Sequence, residues 1–194
     1  TGATGKFYAQ IVHGAPFAVL LAADDETPAR LMKEGRAVAG SAFTYATGRL
    51  VLWSADAAKV DKDGAVLKSG HFARLALANP RLAPYGRAAM ETLAALKVSV
   101  PEAKLVTGEN IAQTYQFAST GNADLGFVAR SQVWQDGKLK SGSGWVVPAS
   151  LHQPIRQDAV LLNAGAGNAA ARALLDYLKT PAARDLIARY GYGA

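Results

Sequence analysis

Short, wholly apolar runs alternate along the chain with stretches whose apolar residues recur every three or four positions. That alternation predicts strands interleaved with helices, an α/β protein. Residues 18–22, uniformly apolar, suit a buried strand, and residues 49–54, 75–78, 104–106, 125–128, 144–147 and 159–162 read as further strands. A helix is expected over residues 6–13, with Phe7 and Ile11 on one face. Asp24 and Asp25 can cap a second helix that runs through Leu31 and Met32 and stops near Gly35. A third spans about residues 84–96, its apolar stripe made by Ala89, Met90, Leu93 and Leu96, and Asn110 caps a fourth that reaches Ser119. Two more close the chain, at 168–179 and 180–190. Thr180 is the N-cap of the last, Pro181 its first residue and Gly191 its stop. Residues 61–70, polar and glycine-punctuated, read as a surface loop. There is no internal repeat, coiled coil or low-complexity tract, and no shift in composition marks a linker.

Half of the 194 residues are hydrophobic and 19% are charged, which suits a folded globular chain and leaves material for one large domain or two small lobes. The absence of cysteine excludes thiol catalysis, Cys-ligated zinc and iron–sulfur clusters. No uninterrupted apolar run approaches the roughly 18–20 residues of a membrane span. The 21 basic and 15 acidic residues leave a net charge of +6, a background that favours anionic partners.

Candidate enzyme chemistry is sparse. His13, His71 and His152 stand far apart, none with a partner at metal-ligand spacing. Asp24, Asp25 and Glu26 precede a helix, where capping explains them better than acid–base catalysis. No Gly-x-Ser-x-Gly elbow occurs. The Gly2 to Lys6 stretch fails as a phosphate-binding loop, because its glycines are too close and Phe7 stands where a Ser or Thr would hold magnesium. The basic residues are scattered, with one modest cluster at Lys138 and Lys140 in a hairpin-like segment, which argues against a nucleic-acid surface. What remains is a set of helix starts, at Thr4-Gly5, at Pro84-Tyr85-Gly86 and at Asn110-Ile111, whose free N–H groups can each seat an anion. They would be specific only if they converged.

Several segments, in order along the whole chain, resemble the periplasmic molybdate-binding proteins of ABC transporters. They are residues 4–11, Gly-Ala-Pro-Phe at 14–17, 22–24, Thr-Tyr-Ala-Thr-Gly-Arg-Leu-Val-Leu-Trp at 44–53, Asn-Pro-Arg-Leu-Ala-Pro-Tyr-Gly at 79–86, 123–128, 176–181 and 189–192. The resemblance implies a two-lobed, type II periplasmic-binding-protein fold, each lobe a mostly parallel sheet flanked by helices, with an oxyanion held in the cleft between them. Lobe one would comprise residues 1–48 and 155–194, lobe two residues 49–154, with crossings near Gly48 and Pro154. The family's opening strand–helix–strand, roughly 30 residues, has no counterpart here; with it goes a ligand group on the first strand, so the chain reads as a processed or truncated product.

The ligand positions implied by the resemblance fall on Thr4, Tyr85 and Ile111. Thr4 would offer hydroxyl and amide, Tyr85 its backbone N–H and phenol, Ile111 a backbone N–H. Some relatives place a tyrosine where this chain has Ala129, so the phenol is assigned to Tyr85. The implied function is capture of molybdate, and of the similarly sized tungstate, by neutral donors, with delivery to a membrane permease. No cofactor, catalysis, direct metal ligation or nucleic acid is involved, and the protein is expected to be a periplasmic monomer. The alternatives are a carrier of another tetrahedral oxyanion such as sulfate, and an effector-sensing domain of a transcription regulator.

Overall fold

The computed structural model describes residues 1–193. The chain starts on helix α1 (Thr4–Val12), then passes through strand β1 (Val19–Leu21), helix α2 (Glu26–Lys33) and strand β2 (Phe43–Gly48). After Arg49 it enters β3 (Leu50–Ser54), α3 (Val66–Ser69), β4 (Leu75–Ala78), α4 (Pro84–Ala95), β5 (Leu105–Gly108) and α5 (Ile111–Ser119). There follow β6 (Leu125–Ala129), α6 (Arg130–Val133), a small hairpin of β7 (Trp134–Gln135) and β8 (Lys138–Leu139), and β9 (Ser143–Val146). Strand β10 (Ile155–Leu161) and helices α7 (Ala169–Leu178) and α8 (Pro181–Arg189) complete it.

Two sheets organise these elements. One has the order β1-β10-β2, the other β5-β4-β6-β3-β9. Every residue of β3, β4 and β6 is buried, as central strands covered on both faces require. In β10, Val160 packs with Leu20, Ile11 of α1 and Leu31 of α2, whereas Ala159 and Leu161 pack with Ala171 and Leu175 of α7. Alternate residues of one strand thus bury helices on opposite faces of the first sheet. The second sheet carries the larger core, in which Leu50, Leu52, Leu75, Leu77, Leu125 and Phe127 meet Tyr85, Ala89 and Leu93 of α4.

Neither sheet is mostly parallel: the strand pairs of the first are antiparallel and the second is mixed. Only β4 is parallel to its neighbours β5 and β6, while β3 is antiparallel to β6 and β9, and β10 is antiparallel to β1 and β2. The reason is the path of the chain. It leaves the first sheet along β2 and returns along β10, so two adjacent strands must run in opposite directions, and the same holds for β3 and β9 in the second sheet.

Two local expectations are corrected, and one strand appears where none was expected. The segment 61–70 contains a helical turn, α3, because the Asp61 carboxylate accepts from the N–H groups of Asp63 (3.0 Å), Ala65 (2.8 Å) and Val66 (3.1 Å) and so folds the chain over the buried Val66 and Leu67. Strand β2, with its mixed Phe-Thr-Tyr-Ala-Thr-Gly sequence, lacks a clean alternation and is not legible as a strand. Strand β10 begins at Ile155 rather than at 159, since the polar Arg156, Gln157 and Asp158 interrupt the apolar signal. The other expected helices and strands lie within a few residues of their expected positions, whereas α6 was not expected and the β7–β8 hairpin falls where only a hairpin-like segment was read.

Candidate functional site

Each candidate residue lies in the first turn of a helix, and local chemistry sets each beginning. Thr4 is the first residue of α1, and Gly5 donates its N–H to the Leu82 carbonyl at 3.1 Å, a close approach in which a Cβ would crowd Leu82. In the 79–83 turn, the Asn79 carbonyl accepts from the N–H groups of Leu82 (3.1 Å) and Ala83 (2.8 Å), and its side chain accepts from Arg81 N–H (2.9 Å). The turn delivers Pro84 to the first position of α4, where its missing N–H is no loss. Gly86 lets that first turn press on the end of β4, because a Cβ there would collide with the Ala78 carbonyl. Asn110 caps α5, its side chain accepting from Gln113 N–H at 2.9 Å, which makes Ile111 the first helical residue.

These three starts meet. Ala3, immediately before Thr4, forms one buried cluster with Ala78 and with Ala83, immediately before Pro84-Tyr85, and Leu82 and Ile111 pack against that cluster. Thr4 and Tyr85 are buried and Ile111 is half-buried. Among the described residues, none accepts a hydrogen bond from the backbone N–H of Thr4, Tyr85 or Ile111, the orphan donors that helix starts leave. Three positive dipole ends therefore share one region of the molecule.

The two hydroxyls there are already turned into donors. Thr4 Oγ1 accepts from the Ala23 N–H at 3.2 Å, and Tyr85 Oη accepts from Gln157 Nε2 at 3.1 Å. With an N–H aimed at each oxygen, each hydroxyl has its own proton to give. Burial pushes the Tyr85 phenol far above the ordinary tyrosine range, with nearby Tyr192 and Tyr45 adding to the effect, so it remains a neutral donor at any physiological pH. Ala129 adds no side-chain donor. Its N–H donates to Gln132 Oε1 at 2.9 Å, while Gln132 Nε2 donates to the Ile111 carbonyl at 3.0 Å, tying the start of α6 to the start of α5.

Ion pairs flank the same helix starts. Lys6 Nζ lies 2.6 Å from Glu109 Oε2, and Arg87 lies 3.0 Å from Glu26 and 3.6 Å from Asp24. Asp24 also fulfils its expected capping role, accepting from Thr27 N–H at 2.9 Å, whereas Asp25 makes no capping bond and faces Arg156 at 3.6 Å. A cavity of about 350 Å³ opens beside these groups, lined by Asp24, Asp25, Glu26 and Glu91 as well as Arg87 and Arg156. Four carboxylates against two guanidiniums make it a poor seat for an anion. Among the described residues, no three His, Asp or Glu side chains gather to hold a metal ion, and no helix is long and apolar enough to cross a membrane.

Sequence reasoning missed Gln157, Tyr45, Gln132 and Arg87. Their roles depend on partners between 21 and 112 residues away, for which the local pattern carries no signal.

Comparison with known proteins places this geometry in context. A molybdate-binding protein ModA of Azotobacter vinelandii is 60% identical over 193 residues, covering 99% of this chain and 77% of its own length. The Rhodobacter capsulatus ModA is 56% identical over 192 residues, covering 98% and 75%. The solved structure of an Azotobacter vinelandii periplasmic molybdate-binding protein superposes with a TM-score of 0.96 at 39% identity, covering 100% of this chain and 85% of that one. The sulfate-binding protein SubI of Mycobacterium tuberculosis shares the fold at a TM-score of 0.72 and 14% identity, covering 98% and 73%. Residues 1–193 match the profile described as bacterial extracellular solute-binding protein. The chain belongs to that family of bacterial extracellular solute-binding proteins.

Proposed function

We propose that this protein captures molybdate, and the similarly sized tungstate, in the periplasm and delivers it as a monomer to the membrane permease of an ABC transporter, without covalent chemistry. The 60% identity to a molybdate-binding protein over 193 residues carries the reading. The meeting of three helix starts supports Thr4, Tyr85 and Ile111 as the ligand set, through two hydroxyls and three backbone N–H groups.

Molybdate at neutral pH is a fully deprotonated tetrahedral dianion and can only accept hydrogen bonds. A pocket of neutral donors on helix N-termini satisfies it without a buried counter-ion. A protonated phosphate would set its own O–H against those donors, at a cost of about 1–3 kcal/mol for each group left unpaired. Sulfate has the same charge but is smaller, so cavity size must reject it. In this reading lobe one is residues 1–48 and 155–194 and lobe two is 49–154, and closure about Gly48 and Pro154 brings the donors together as a hinge-type switch. The closed pair would present a joint surface to the permease.

Thermal unfolding with molybdate, tungstate, sulfate and phosphate tests the reading. Molybdate and tungstate are expected to stabilise the protein by about 2.7 kcal/mol at a hundredfold excess over the dissociation constant. Greater protection by sulfate or phosphate would reject the ligand.

A further inference from the structure

We propose that Gln157 and Tyr45 are positioning residues for the oxyanion: together they hold Tyr85 as a hydrogen-bond donor, and so help select a fully deprotonated ligand. This inference rests on the molybdate reading and on the placing of the Tyr85 phenol in the site.

The geometry is a chain of three polar groups reaching from α4 to the first sheet. Tyr45 Oη donates to Gln157 Oε1 at 3.0 Å, and Gln157 Nε2 donates to Tyr85 Oη at 3.1 Å. Gln157 and Tyr85 are buried and Tyr45 is half-buried, so water does not readily substitute for a missing partner. A carboxamide has one accepting end and one donating end. With Tyr45 giving its proton to the oxygen end, the nitrogen end must face Tyr85, and Tyr85 keeps its own proton for an acceptor.

The opposite polarity is also available. The Ala22 carbonyl lies 3.3 Å from Tyr45 Oη and competes for the same proton. If Tyr45 donated there, Gln157 could turn over, give its N–H to Tyr45 and take the Tyr85 proton on Oε1. The Tyr85 oxygen would then face the site as an acceptor, suited to a ligand carrying an O–H. The amide as placed, with Oε1 toward Tyr45 and Nε2 toward Tyr85, is the donor setting, and a dianion with no proton favours it. Gln157 and Tyr45 thereby contribute to discrimination against protonated oxyanions without touching the ion themselves.

The test is a double-mutant cycle read by calorimetric titration with molybdate, using wild type, Q157L, Y45F, Y85F, Q157L/Y85F and Y45F/Y85F. Q157L and Y45F should each weaken binding about three- to tenfold in the Tyr85 protein and less than about twofold in the Y85F background. Y45F should also raise the affinity for phosphate relative to molybdate, which a purely structural role would not do. Ligand-free melting of every variant checks folding, and Y45F, which removes only one hydroxyl, keeps the test open if Q157L fails to fold. Equal losses in both backgrounds, or no loss from either single variant, would overturn the inference while leaving molybdate capture intact. A wild type that does not bind molybdate would overturn the function reading and this inference with it.

Discussion

The hydroxyl of Tyr85 lies against the α-carbon of Gly48, so closely that no Cβ fits between them, and Gln157 Nε2 stands beside the hydroxyl in the same gap. Gly48 is the last residue of β2, where the chain passes from the first sheet to the second. A helix packed on the second sheet thus sends a tyrosine side chain to the point where the chain leaves the first sheet. The glycine is there for space, since its backbone is not in the left-handed region.

G48A should therefore push the phenol and the Gln157 amide apart. Overpacking of this kind costs about 1–3 kcal/mol of stability, to be read by urea denaturation. Molybdate affinity should fall with it, because the displaced group is a proposed ligand. Lost stability with unchanged affinity would take the phenol out of the site.

Asn110 separates capping from charge. N110A should cost about 1 kcal/mol of stability, and should loosen the Ile111 N–H that the cap presents. N110D keeps an acceptor for Gln113 N–H and should recover the stability, but it brings a carboxylate to the same helix start. Molybdate affinity, measured by titration at low salt, should then fall further than in N110A. An N110D protein that bound as tightly as wild type would show that the start of α5 lies away from the ion.

Much of this arrangement was legible in the residues. Pro84, Asn110, Thr180 and Pro181 mark helix starts with chemistry that acts over one turn, and all of them begin helices or cap them as expected. The convergence of Thr4, Tyr85 and Ile111 was not legible from spacing, since it depends on the packing of Ala3 against Ala78 and Ala83 across some 75 to 80 residues of chain. The resemblance supplied it. Strand β2 and the first half of β10 were obscured for a related reason. Tyr45 and Gln157 occupy strand positions with polar side chains because they bond to each other, and that bonding hides the apolar alternation by which strands are read.

Asp24 gives a pH-dependent prediction. Burial raises its carboxyl above the usual range, against the lowering influence of the Thr27 N–H and the Arg87 charge. A carboxyl with a raised folded pKa contributes stability that is fully present below its unfolded value and is lost as pH rises through the folded value. D24N cannot titrate yet still offers Oδ1 to Thr27. Its stability relative to wild type should therefore increase as pH is raised from about 4, near the unfolded carboxyl value, to 7. Denaturation of both proteins at the two pH values checks this, and a gap that narrows toward neutral pH would mean that the Arg87 contact outweighs burial.

Arg87 is the counterpart of that carboxylate, 3.6 Å from Asp24 and 3.0 Å from the exposed Glu26. The Glu26 pair is open to solvent and should contribute only about 0–1 kcal/mol. The Asp24 contact is different, because its carboxylate is nearly enclosed and loses its nearest positive charge in R87A. Without the guanidinium, the folded carboxyl should take up its proton at still higher pH, so R87A should cost more stability at pH 7 than at pH 4. In the D24N background the same substitution should cost only the Glu26 pair, with a pH dependence no larger than that pair's own contribution of about 0–1 kcal/mol. Denaturation of the four proteins at both pH values measures the coupling, and an R87A cost that is equal in both backgrounds would assign Arg87 to Glu26 alone.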